Sequence, residues 1–183
     1  MDELRAFLRA RDDADPEVGE NMRTRLLEGT NDDAVILLHG LTASPPAWES
    51  IAAKVHAAGA TVVALRLPKH GHADRLTTAL TELTVAEMTT DLQAVVAAVA
   101  QLGKHIVIGG HSLGGTLAIH AAATSPRVER IVAIAPFLGV VGIPRELHAV
   151  LIPIVRALPN RFMWWDPIIR ERQQPDHGYP RYP

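Results

Sequence analysis

The chain has 183 residues, 48% hydrophobic and 21% charged, proportions ordinary for a globular protein with one substantial core. Its net charge is −2 with acids and bases interspersed, which excludes the basic footprint of a protein that grips nucleic acid or an anionic membrane. Cysteine is absent, so disulfides, thiolate metal sites and cysteine nucleophiles are excluded, and the composition fits the cytoplasm.

Residues 1–15 are charged and have no long apolar core, so they do not read as a signal peptide. A short helix is expected around residues 4–8, followed by an acidic, turn-rich stretch through Asp12, Asp13, Asp15 and Pro16 and an edge strand at 23–27. AVILL at 34–38 is the first run expected of a strand buried on both faces. Ser44, Pro45 and Pro46 then read as a helix start, since serine caps and proline suits the first turn. Trp48, Ile51, Ala52 and Val55 recur at helical spacing until Gly59 supplies the stop.

TVVAL at 61–65 is the next strand, and Pro68, His70, Gly71, His72 and Asp74 follow it. Two histidines and an aspartate at alternate positions invite a metal reading. The position where a further histidine would complete that pattern is Arg75, so these are read as loop residues near the carboxyl edge of the sheet and no metal is expected. Thr84-Val85-Ala86-Glu87 is a capping box, and behind it Met88, Leu92, Val95, Val96 and Val99 keep one helix face apolar until Gly103.

The next stretch carries the chemistry. Ile106, Val107 and Ile108 form a buried-strand run, and Gly110-His111-Ser112-Leu113-Gly114 fits G-x-S-x-G, followed by small, helix-compatible residues. Three fixed residues of ordinary frequency recur by chance in about one chain in twenty of this length, so context decides. Strand, sharp turn and helix is the required context, because the glycines let the backbone hold the serine hydroxyl out above the sheet edge. The N-terminus of the following helix offers free N–H groups to an oxyanion. RIVAIA at 130–135 is a fourth buried strand, ending at Pro136. Strands alternating with helices imply a mainly parallel α/β sheet with helices on both faces, whose ligands bind outside the carboxyl ends of the strands.

From Pro136 onward the character changes, with eight of the 13 prolines and six of the eight aromatics. A helix interrupted by Pro153 is expected over 144–158 and an aromatic loop over 159–167. This segment, 137–183, reads either as a cap shaping an apolar acyl pocket or as a connection packed on the sheet. The most apolar stretch, 131–143, is too short and too broken by Pro136 to span a bilayer.

AVILLHGLTASP, the proline-histidine-glycine loop, GGHSLGG and RIVAIAP together resemble the α/β-hydrolase family, particularly its bacterial carboxylesterases and monoacylglycerol lipases, over residues 20–140. The resemblance implies a single partial α/β-hydrolase domain spanning 1–183, with its core at 20–136 and its C-terminal side incomplete. It implies Ser112 as nucleophile, the main-chain N–H groups of Leu41 and Leu113 as oxyanion donors, and Gly40, Gly110 and Gly114 as the glycines that shape these loops. A small-molecule carboxylic ester is the implied substrate, with no cofactor, nucleic acid or membrane partner. A catalytically inactive binding module and an acyltransferase or perhydrolase are the alternatives. The family order is nucleophile, acid, then histidine, with the last two after strands that follow the cap. Downstream of Ser112, His148, Asp166, Asp176 and His177 follow no strand-like run, so the acid and histidine are expected to be missing. Strand 130–135 would then leave an apolar edge open, from which self-association is expected.

Overall fold

The computed structural model describes residues 1–139, 144, 147, 150, 152–154, 161–170 and 178–183. Helix α1 (Asp2–Asp13) buries Leu4 and Leu8 and runs a full turn beyond the expected short helix. The extension is explained by its last turn: Asp12 accepts from Arg66 Nε at 2.9 Å, with both side chains 3% exposed. A buried ion pair of this kind has no local sequence signature, because its partners lie 54 residues apart.

Five strands form the main sheet: β1 (Arg25–Leu27), β2 (Asp33–Leu38), β3 (Thr61–Leu65), β4 (His105–His111) and β5 (Val128–Ile134). Their order is β1-β3-β2-β4-β5, with β1 antiparallel to β3 and every other pair parallel. Leu38 stands level with Leu65 and with Gly110, so the segments that leave β2, β3 and β4 gather at one carboxyl edge. Helices α3 (Val85–Ala100) and α4 (Leu113–Thr124) cover one face, where Leu92, Val95 and Ala118 pack on Ile36, Leu38 and Ile108. Helix α2 (Glu49–Ala57) lies on the other, with Ala52 and Trp48 against Leu37, Val62 and Ala64. The expected mainly parallel sheet with helices on both faces is thus the observed one.

Local signals act as expected at most element ends. Thr84 Oγ1 accepts from Glu87 N at 3.1 Å to cap α3, and Gly59 turns the chain out of α2 at φ +97°. Ser44 differs. No cap bond comes from its side chain, whose hydroxyl donates to Met22 Sδ at 3.2 Å, and a 3₁₀ turn at Pro45–Trp48 precedes α2. Two short strands, Met163–Trp164 (β6) and Arg181–Tyr182 (β7), pair antiparallel where no strand was expected, since two residues are too few to leave a periodic pattern. The helix expected over 144–158 falls largely outside the described residues.

Val132 and Ile134 of β5 are 56% and 44% exposed, and among the described strands β5 pairs only with β4. Among the described residues, no helix is long and apolar enough to cross a membrane.

Candidate active site

Ser112 stands between β4 and α4 at φ +52°, ψ −116°, a conformation that costs a non-glycine residue about 1–3 kcal/mol and persists only where its surroundings fix it. Those surroundings are visible. The Ser112 N–H donates to Ile134 O at 2.9 Å, while Ser112 O accepts from Thr116 N at 3.1 Å and Phe137 N at 3.3 Å. Strand β5 and the start of α4 thus clamp the turn from two sides.

The glycines around the turn are imposed by close approach. A methyl group on Gly110 would overlap the Gly114 carbonyl and lie 2.6 Å from Gly115 N. One on Gly114 would overlap the Leu38 carbonyl and lie 2.7 Å from His39 O. Helix α4 can therefore start directly against the ends of β2 and β4 only if both positions lack a Cβ. Gly40 belongs to the same junction: a methyl there would sit 3.3 Å from His111 Nδ1 and 3.6 Å from Ser112 Cβ. The structure thus brings Gly40, Gly110, Ser112 and Gly114 together. Leu41 follows Gly40 and Leu113 opens α4, and neither N–H has a hydrogen-bond partner among the described residues.

Two buried histidines lie behind this junction. His39 takes a hydrogen bond from Leu67 N on Nε2 at 3.2 Å, which leaves Nδ1 to donate to Gly40 O at 2.9 Å. Because the Gly40–Leu41 peptide is planar and trans, fixing the Gly40 carbonyl fixes the opposite direction of the Leu41 N–H. Burial holds His39 well below the usual imidazole pKa, helped by neighbouring His70, so it is neutral, as its acceptor role requires. His70 is fully buried as well; Nε2 lies 2.6 Å from Leu41 O and Nδ1 2.7 Å from Pro68 O. Desolvation pulls its pKa down to about 4 against the pull of those carbonyls. Neither contact was foreseen from the sequence, where His70 reads as a loop residue.

His72 is buried too, 3.1 Å from Asp15 and 3.1 Å from Glu17, while Asp74 is exposed. The end of the chain, read either as a cap or as a connection packed on the sheet, docks on these same loops. Tyr179 N donates to Thr42 O at 2.7 Å, and its hydroxyl accepts from His72 N at 3.0 Å and donates to Lys69 O at 3.2 Å. Its burial raises the phenol pKa to about 12, keeping the donating proton in place. Trp165 Nε1 donates to Thr42 Oγ1 at 3.0 Å, with the Trp165 ring against Tyr182. Asp166 is described, and its carboxylate accepts from the backbone of Ile168 at 2.7 Å. His148, Asp176 and His177 lie outside the described residues. Among the described residues, no histidine or carboxylate bonds to Ser112 Oγ.

Comparison with solved structures finds similar folds. One of two metagenome-derived lipolytic enzymes, LipS and LipT, superposes with a TM-score of 0.67 at 23% identity, covering 91% of this chain and 65% of the other. A monoacylglycerol lipase from Paleococcus ferrophilus gives 0.59 at 23% identity, over 82% of this chain and 58% of that one. An alpha/beta hydrolase from Penicillium gives 0.56 at 17% identity, over 78% and 53%. The chain thus spans less than two thirds of the length of these proteins, and the likeness is one of fold. No curated protein matches. The sequence pattern of the alpha/beta hydrolase family matches residues 35–182, most of the chain, and the protein belongs to that family.

Proposed function

We propose that the protein is a serine hydrolase acting on carboxylic esters, with Ser112 as nucleophile and the Leu41 and Leu113 N–H groups as oxyanion donors. The supporting observation is the clamped, positive-φ Ser112 at the head of α4, beside Gly40, where an added methyl would lie 3.6 Å from Ser112 Cβ, with the Leu41 and Leu113 N–H groups lacking hydrogen-bond partners among the described residues. Ser112 Oγ adds to the acyl carbon as its proton passes to a base. The carbonyl oxygen takes the negative charge against the two N–H groups, and the alkoxide leaves with a proton. Water then attacks the acyl-serine and frees the acid. No cofactor enters this sequence. The aromatic 137–183 segment, with Trp165 anchored to Thr42, supports an acyl or aryl substrate, and the composition supports a cytoplasmic location.

A second reading is a binding module that keeps the pocket without turnover. It is favoured by the lack of any described histidine or carboxylate on Ser112 Oγ, since a serine without a base is a weak nucleophile. An acyltransferase or perhydrolase is the third, because the fold does not specify what accepts the acyl group. Incubation with p-nitrophenyl esters, in water and with added alcohol, separates the three. We expect an acyl adduct on Ser112, seen by peptide mass, that turns over to free acid. Binding without an adduct selects the module, and transfer to alcohol in preference to water selects the transferase. We also propose self-association through β5, which among the described strands pairs only with β4, supported by the exposure of Val132 and Ile134. A monodisperse monomer in analytical ultracentrifugation would contradict it.

A further inference from the structure

His70 occupies a position that ordinary burial does not account for. Both ring nitrogens face carbonyl oxygens, Pro68 O at 2.7 Å and Leu41 O at 2.6 Å, and a carbonyl only accepts. A neutral imidazole has one N–H, so it can serve only one of them. The Pro68 contact is local, spanning two residues, whereas the Leu41 contact spans 29 and ties the segment after β3 to the loop after β2. Three successive carbonyls of that loop are each held from behind. Gly40 O accepts from His39 Nδ1 and from Ala43 N, Leu41 O faces His70 Nε2, and Thr42 O accepts from Tyr179 N. The Leu41 N–H, without a hydrogen-bond partner among the described residues, therefore sits in a backbone whose carbonyls are held by the His39 and His70 rings and by the Ala43 and Tyr179 amides.

We propose that His70, as the Nε2–H tautomer, is the positioning residue of the oxyanion loop: it holds the Leu41 carbonyl and so the Leu41–Thr42 peptide, the unit next to the Gly40–Leu41 peptide that carries the Leu41 N–H and whose carbonyl His39 holds. This rests on the assignment of Leu41 as an oxyanion donor. The ring touches no reacting atom. The groups around it, Arg66 on its own carbonyl at 3.2 Å, the edge of His39 with ring centroids 4.9 Å apart, and the stacked Tyr179 at 6.2 Å, add no carboxylate that would favour an imidazolium.

The test compares His70→Gln with His70→Asn. The glutamine amide nitrogen reaches about as far from Cα as Nε2 does and can keep the bond to Leu41 O, while the asparagine amide reaches only the Nδ1 position and Pro68 O. Two amides report on the loop without any reaction at Ser112: Ala43 N and Tyr179 N, which donate to Gly40 O and Thr42 O. Hydrogen exchange at both is expected to speed up about tenfold or more in the asparagine variant and to stay within about threefold of wild type in the glutamine variant. Fluorophosphonate labelling of Ser112 is expected to follow the same order, falling about tenfold in the asparagine variant alone. Equal exchange in the two variants overturns the proposal. Should asparagine prevent folding, the ring nitrogens of the wild-type protein decide, by long-range proton–nitrogen correlation at neutral pH: Nε2–H is expected for His70, and Nδ1–H overturns the assignment. Absent labelling in the wild type would overturn the reading of Ser112, while the exchange and tautomer results would still decide the role of His70.

Discussion

Acidification provides a quantitative handle on the buried histidines. Desolvation holds His70 at about 4 in the native state, whereas an imidazole in the unfolded chain titrates near 6.5. Below about pH 6.5 the unfolded state takes up a proton that the native state refuses, so stability falls with pH and the loss levels off once pH passes about 4. The full window is worth about 3 kcal/mol, of which about 2 kcal/mol is gone between roughly pH 7.5 and pH 5. His39 adds to the loss in the same direction. His105, exposed and paired with Glu129 at 2.8 Å, has a raised pKa and works the opposite way on the surface. Carboxylates contribute as well, so the measurement is a difference between two proteins: urea unfolding followed by circular dichroism at both pH values, for wild type and His70→Gln at constant ionic strength. Wild type is expected to lose about 2 kcal/mol more than the variant over this interval. An identical loss in both would refute the claim that His70 is buried as a neutral imidazole.

Three substitutions probe the rest of the scaffold. Gly114→Ala forces a methyl into the Leu38 carbonyl and to 2.7 Å from His39 O, two stretches of backbone with no flexible end to yield. It is expected to cost more than about 3 kcal/mol, read as a drop in urea midpoint, and a neutral result would contradict the close approach of α4 to β2. Ser112→Gly places at φ +52° the residue that tolerates it, so stability is expected to rise by about 1 kcal/mol as labelling is lost. A loss of stability would show that the backbone there is unstrained. Arg66→Met removes the 2.9 Å partner of buried Asp12, which keeps Arg11 Nη1 at 3.2 Å and Thr24 N at 2.7 Å, and is expected to destabilise by about 2–3 kcal/mol, checked by the same titration.

The frame of the fold was legible because it is written locally. Strands buried on both faces leave unbroken β-branched runs, as in 34–38 and 61–65, and the cap at Thr84 and the stop at Gly59 act within a few residues of where they stand. Gly110, Ser112 and Gly114 were legible for a related reason: where helix and strand nearly touch, only glycine fits, so the geometry is recorded in residue identity. The machinery behind the loop was not. His39 meets Leu67 across 28 residues, His70 meets Leu41 across 29, and Tyr179 reaches His72 across 107. Each is a single polar residue in an apparent loop, and nothing in its neighbours says which carbonyl it will face. The proline-histidine-glycine pattern at 68–72 marked the place but could be read only as loop or metal site. The length of α1 was missed because its last turn is stabilised by Arg66 rather than by its own apolar face.

The proposed role of Ser112 as acyl-accepting nucleophile is tested most directly by fluorophosphonate labelling of the 183-residue chain, read by intact mass and peptide mapping with Ser112→Ala alongside. A single adduct is expected, located on Ser112 and absent from the alanine variant. A folded protein that takes up no probe, or one labelled equally in the alanine variant, would contradict it.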